Sequence, residues 1–308
     1  MILSVCPNPS VDTYIYLHSF AEGQVNRVQR EVQYPGGKGV HVALGINELG
    51  EKVSLLGFWA GATGRWVKHE LEKKGIECYG PEVEGWTRSC LTFKTGDSFD
   101  ESELLGVGPE ISEDDLAEFI VAYEQLLSQS SMVVMSGSWP KGAPADAYAI
   151  LAKKAYEQGV NVILDATGKQ FENAILEKPT VIHLNKSEAA EFTGIQNIRG
   201  MLIHLFNKVE VAAVTDGKKG LYFTRKNSSL HGNIVLPKVH SAVGSGDSLT
   251  AGLAVAIKRG YNDAETVKLG VACGAANCLR EDLGMFYKKD VEQLFDEVRV
   301  EKLEIVVS

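Results

Sequence analysis

The stretch AVGSGDSLTAGLAVAI, residues 242–257, sets Gly244, Ser245, Gly246 and Asp247 directly ahead of a run of small and apolar residues. Glycine is a poor helix former, yet it lets backbone amides turn inward and approach a ligand closely. Leu249, Leu253, Ala256 and Ile257 then recur at helical spacing. The stretch reads as a Gly-rich loop feeding a helix N-terminus, where unpaired N–H groups and the helix dipole favour an anion. Asp247 admits two readings. It caps the helix, or it acts as a base beside a bound phosphate.

Around this stretch the chain is an ordinary α/β sequence. Its 308 residues are 44% hydrophobic and 23% charged, enough apolar material for a large core. The formal net charge is −9 and no Lys/Arg cluster runs longer than a pair, which argues against nucleic acid as a partner. Cys6, Cys78, Cys90, Cys273 and Cys278 are odd in number and form no CxxC pair, as expected of buried thiols in a reducing cytoplasm. No apolar stretch reaches membrane-spanning length, and the N-terminal MILSVCPNPSVD reads as a first strand, not a signal peptide.

From about residue 111 onward, helical patterns alternate with short β-branched apolar runs. SEDDLAEFIVAYEQLLSQ is amphipathic with Ser112 as N-cap, and MVVMSGS, VNVILDATG, TVIHLN and VEVAAVTDG read as strands separated by helices. Continuous apolar strands with helices between them predict a mostly parallel sheet covered on both faces. Ligands bind such sheets outside the carboxyl ends of the strands, so SGS, DATG, LNKSE and TDG should gather on one rim. The N-terminal third differs. TYIYLHSF, VNRVQREVQY, SCLTFKT and SELLGVG resemble shorter, more polar strands that interrupt the alternation around residues 12–34 and 88–108. They form either a small sheet covering the rim or a pair of edge hairpins. The absence of repeats and linkers favours one domain, 1–308, with an inserted lid.

Further stretches carry chemistry. YPGGKGVHVALGINELG runs Gly36, Gly37 and Lys38 into a helix, again offering amides at a helix start, without the spacing of a Walker loop. Arg27 and Arg88 lie in the lid segments, and an arginine fork suits phosphate oxygens. Asn185 and Glu188 stand three apart at a helix start, where they either cap it or hold the water shell of Mg²⁺. Thr215, Gly217 and Gly220 make a tight turn after a strand, either a plain β-turn or a nucleotide-side loop. The seven histidines include no HxxxH or HExxH arrangement, and no GxSxG element points to a hydrolase.

Taken together, GGKGVHVALGINELG and SAVGSGDSLTAG resemble the two signatures of the PfkB branch of the ribokinase family, with SGSWPKG, LNKSE and TDGKKG between them in the expected order. NPSVD, VNRV, WTR and ELLGVGPEIS resemble its sugar-phosphate kinases, the 1-phosphofructokinases and tagatose-6-phosphate kinases. The resemblance implies a ribokinase-like three-layer αβα fold with a small β lid, and ATP-dependent phosphorylation of a ketohexose phosphate with Mg²⁺. It implies Asp247 as general base, with Gly244, Ser245 and Gly246 supplying an anion hole. Asp12, Gly36, Gly37, His41 and Ser136 would meet the sugar, and Lys38, Arg27 and Arg88 the phosphate it already carries. Asn185 and Glu188 would organise Mg²⁺ through water, while Thr215, Gly217, Gly220 and Asn277 would lie along ATP.

Two positions depart from the family pattern. His41 stands where the first signature has asparagine, and His183-Leu184-Asn185 replaces the usual K-P-N. These departures suit an alternative, a catalytically silent sugar-phosphate sensor on the same fold, whereas the intact GSGD argues for turnover. A dinucleotide-dependent oxidoreductase lacks its GxGxxG after the first strand. The lid further predicts a homodimer, with Tyr14, Tyr16, Leu91 and Phe93 filling its uncovered apolar face.

Overall fold

Strand β1 (Ile2–Val5) is buried at every position. Because side chains alternate across a strand, Ile2 enters one apolar core while Leu3 and Val5 enter another. This division extends across the molecule, described for residues 1–226, 228–281 and 284–304 by a computed structural model. After β1 come β2 (Ser10–Tyr16), β3 (Arg30–Gly36), α1 (Lys38–Glu48), β4 (Val53–Leu56), β5 (Trp59–Ala60), α2 (Gly61–Glu72), β6 (Glu77–Tyr79), β7 (Glu82–Val83), β8 (Arg88–Lys94) and β9 (Glu103–Leu105). The α/β alternation follows: α3 (Glu113–Leu127), β10 (Met132–Ser136), α4 (Ala147–Glu157), β11 (Asn161–Asp165), α5 (Gly168–Ala174), β12 (Val181–Asn185), α6 (Lys186–Thr193), α7 (Ile198–Phe206) and β13 (Val211–Thr215). The chain then adds β14 (Leu221–Arg225), β15 (Ser228–Asn233), α8 (Ser245–Lys258), α9 (Asp263–Cys278), α10 (Lys288–Glu297) and β16 (Arg299–Lys302).

Among the described residues the central sheet has the order β16-β15-β14-β13-β12-β11-β10-β1-β4-β6. From β6 to β13 every neighbouring pair is parallel. The last three strands extend the edge in antiparallel fashion. Helices α1, α2, α8, α9 and α10 contribute to one core, and α3, α4, α5 and α7 to the other. The three-layer αβα arrangement expected from the sequence is therefore present. Strand order reverses beside β1, between β4 on one side and β10 on the other, and such a switch point opens a crevice at the strands' carboxyl ends. Ser136, Asp165, Asn185 and Thr215 end four successive strands there.

The interrupting segments form a four-stranded sheet, β3-β2-β8-β9. Its two central strands, β2 and β8, pair in parallel, so the segments form one cover instead of two separate hairpins. The register corrects one expectation about this sheet. Tyr14 lies opposite Thr92, and Leu91 opposite Thr13, so the tyrosines and the Leu91/Phe93 pair occupy opposite faces. Tyr14 shares the face of Asp12 and is fully buried. Leu91, Phe93 and Leu104 line the other face, where Leu104 is 58% exposed and Phe20 packs on Phe93.

Candidate active site

Helix α8 begins at the GSGD loop because Gly244 adopts φ 79° as its N-cap, a conformation that costs a residue with a Cβ but not glycine. A Cβ there would also stand 2.7 Å from the Cα of Gly284. No side chain caps this helix. Asp247 sits in its first turn, 7% exposed, and its carboxylate turns toward His41 instead of the helix's own amides. The capping reading therefore fails on geometry; Ser245 N donates to the Ala242 carbonyl at 3.2 Å, and no side chain caps the amides that follow it. Asn277, expected along ATP, is buried in α9: its Nδ2 donates to the Val243 carbonyl, 2.9 Å, and its Oδ1 accepts from Ser248 Oγ, 3.3 Å. It braces the loop from behind.

Helix α1 packs directly against α8, where a Cβ at Gly45 would stand 2.8 Å from Ala251 Cβ. Gly36 ends β3 against the Asp12 carboxyl group, and a Cβ at Gly36 would fall 2.0 Å from Asp12 Cγ. Only glycine lets the carboxylate lie over that peptide. Ser10 Oγ donates to Asp12 Oδ1 at 2.5 Å. Gly37, at φ 101°, is the N-cap of α1. His41, one turn into the helix and 5% exposed, lies between two carboxylates: Nδ1 is 2.9 Å from Asp247 Oδ2, and Nε2 is 3.2 Å from Asp12 Oδ2. The second contact is an ion-pair approach, off the line of a good hydrogen bond. Burial alone would lower the imidazole's proton affinity; Asp12 and Asp247 reverse this and raise its pKa to about 10. Burial likewise opposes ionisation of Asp12, but His41, Ser10 and Arg88 hold it below its ordinary value. His41 was expected to hydrogen-bond the sugar, yet both ring nitrogens already face carboxylates.

A second buried group lies under the rim. Lys38 Nζ pairs with Asp165 Oδ1 at 2.9 Å and approaches Glu188 Oε1 at 3.8 Å. Asp165 Oδ2 is 3.0 Å from His183 Nδ1 and accepts from Thr250 Oγ1 at 3.1 Å. His183 Nε2 reaches Thr215 Oγ1 at 3.3 Å. Burial opposes the charge on Asp165, but Lys38 and His183 pull its pKa well below the carboxylate range. The Lys38 ammonium is correspondingly held above its usual range, chiefly by Asp165. Lys38 thus turns toward the β11 and α6 side of the crevice, with its side chain 39% exposed. Asp165 has no sequence signal beyond its place in DATG at a strand end.

Asn185 and Glu188 form a reciprocal capping box on α6, with Glu188 N donating to Asn185 Oδ1 at 3.0 Å and Asn185 N to Glu188 Oε2 at 2.8 Å. Glu188 Oε1 remains outside that box, facing Lys38. Gly217 and Gly220 flank a single 3₁₀ turn after Thr215, both at positive φ. Arg88 donates from Nε to the Asn8 carbonyl at 3.2 Å, which leaves the rest of its guanidinium fork for a ligand. Ser136 is fully buried with its hydroxyl unpaired at the strand end. Arg27 is exposed on the loop joining β2 to β3.

Residues 7–288 match the family model described as pfkB family carbohydrate kinase. The chain is 33% identical over 310 residues to 1-phosphofructokinase of Bacillus subtilis (strain 168), covering 98% of this chain and 100% of that protein. It is 32% identical over 309 residues to tagatose-6-phosphate kinase of Staphylococcus epidermidis (strain ATCC 12228 / FDA PCI 1200), covering 97% and 99%. Among solved structures, a possible 1-phosphofructokinase of Thermotoga maritima superposes with a TM-score of 0.90 at 25% identity, covering 98% of this chain and 99% of that one. Fold and relatives together define an ATP-dependent sugar-phosphate kinase. The chain belongs to the pfkB family of carbohydrate kinases.

Proposed function

We propose that the chain transfers the γ-phosphoryl group of ATP to a hydroxyl of a ketohexose phosphate. The candidate reactions are fructose 1-phosphate to fructose 1,6-bisphosphate and tagatose 6-phosphate to tagatose 1,6-bisphosphate. The observation that carries this reading is the Asp247 carboxylate, buried in the first turn of α8 and not used as a cap. Asp247 takes the proton of the acceptor hydroxyl, that oxygen bonds to the γ-phosphorus, and the bridging P–O bond breaks to release ADP. Amides from Gly244 to Asp247 stabilise the charge developing on the transferred group. Asp12, held against Gly36, accepts hydrogen bonds from sugar hydroxyls, with Gly37 and Ser136 beside it. Arg88 and Arg27 bind the phosphate already on the sugar. Thr215, Gly217 and Gly220 flank the nucleotide.

The oxygens of Glu188 and Asn185 fit a magnesium ion held through its waters, because Glu188 Oε1 lies outside the capping box and Mg²⁺ needs few protein ligands. When bound, the ion neutralises charge on the nucleotide's phosphates. None of the described helices is long and apolar enough to cross a membrane. The five unpaired cysteines agree with a reducing cytoplasm. The exposed face of the lid supports a homodimer.

Fructose in its furanose form carries a CH₂O group on each side of the ring oxygen. One phosphate clamp and one base can therefore accept either end, and tagatose differs from fructose at one hydroxyl. Single hydrogen bonds, each worth about 0.5–1.5 kcal/mol net, govern that choice. Coupled ADP release with fructose 1-phosphate, fructose 6-phosphate and tagatose 6-phosphate tests the reading. The expected outcome is saturable turnover, with kcat/KM for one of them ahead of the others. The contact between His41 and Asp247 favours one competing outcome, a sensor that binds a sugar phosphate without releasing ADP.

A further inference from the structure

Asp12 and Asp247 belong to elements far apart in the chain, β2 and α8, yet each turns one oxygen to the same ring. Both carboxylates are largely withdrawn from water, with side chains 10% exposed. A neutral imidazole has one N–H and one lone pair. It could donate to only one of these carboxylates and would set its lone pair against the other. Two carboxylates at 2.9 and 3.2 Å favour the imidazolium, which donates to Asp247 and sets its positive charge against Asp12. An asparagine at this position would carry no charge and could not neutralise the pair. The other charged groups facing this cluster are Lys38 on the same helix, Arg88 on β8 and Glu103 on β9. Gly284 closes over the ring, where a Cβ would stand 2.5 Å from His41 Cδ2.

We propose that His41 is a positioning residue that acts as a charged bridge, its imidazolium donating to Asp247 and pairing with Asp12 so that the base and the sugar-binding carboxylate are held as one unit. The bridge occupies Oδ2 of Asp247 and leaves Oδ1 for the acceptor's proton. It fixes the orientation of the base before substrate arrives. His41 itself neither gains nor loses a proton during transfer. This rests on the reading of Asp247 as the base, and it adds a pH dependence that an asparagine at this position would not produce.

The test is NMR of ¹³Cε1-histidine-labelled protein, with the His41 signal identified by its loss in His41→Asn. The bridge predicts an imidazolium at pH 8, where an ordinary histidine is neutral, and a titration moved down by about one to three pH units in Asp247→Asn. A neutral His41 at pH 8, or a titration unaffected by Asp247→Asn, overturns it. This arm reads the bridge without turnover, so failure of the kinase reading is distinguished by absent ADP release beside an intact imidazolium. In the kinetic arm, wild-type kcat falls at alkaline pH as His41 deprotonates. His41→Asn lacks that limb. Superimposable wild-type and variant profiles overturn the proposal.

Discussion

Asp165 illustrates how much one buried carboxylate organises at this site. It joins Lys38 of α1, His183 of β12 and Thr250 of α8 beneath the rim. Replacing it with asparagine removes the anion that Lys38 and His183 face, with the Lys38 side chain 39% exposed and still near Glu188. Losing hydrogen bonds to a charged group costs about 1.5–3 kcal/mol. Urea unfolding of Asp165→Asn at pH 7 should show a loss on that scale; a change below about 0.5 kcal/mol would contradict the network. The sign of the pH dependence follows from the lowered pKa of Asp165. Its contribution is present above the unfolded carboxylate value of 3.8 and fades as pH falls toward the folded value. His41 acts in the opposite sense, its contribution complete below 6.5 and lost as pH rises through about 10. Wild-type stability should therefore weaken at both extremes, and Asp165→Asn should flatten the acid side. Neither contact network was legible in the sequence. His41 and Asp247 are 206 positions apart, and no spacing rule connects them. Gly36 and Asp247 were legible, because glycines before helices and a carboxylate at a helix start carry local signals, whereas Asp12, inside β2, was singled out only through the family resemblance.

At the scale of elements, the parallel strands were the most legible part. β10, β11, β12 and β13 are short apolar runs separated by helical patterns, and their carboxyl ends meet on the expected rim. The antiparallel edge, β14 to β16, escapes a reading built on strand–helix alternation because β14 and β15 follow each other with no helix between. The lid was legible as strands but not as a pairing, since β2 and β8 are joined by more than seventy residues. Its register puts Leu91 and Leu104 side by side on the face away from Asp12. That exposed face is the candidate dimer surface. Sedimentation should give a dimer at micromolar concentration, and Leu91→Asp with Leu104→Asp should shift it to monomer by setting charges in an apolar contact. A wild-type monomer under those conditions contradicts the dimer.

For the whole molecule, the doubly wound sheet and the lid together bring Asp247, Asp12 and the N-terminus of α8 into one crevice. The central claim is that Asp247 removes the acceptor's proton in this crevice. Asparagine preserves the size of that side chain and caps helices about as well as aspartate, so a structural role would survive the change. Loss of a general base instead costs about 10²–10⁴ in rate, or roughly 3–5 kcal/mol in the barrier. The most direct measurement is kcat for ADP release and ATP affinity on the same folded preparation of Asp247→Asn, beside wild type. The account predicts kcat reduced by about 10²–10⁴ with ATP binding retained, because backbone amides form the anion hole. An Asp247→Asn protein that turns over at near wild-type kcat would contradict it.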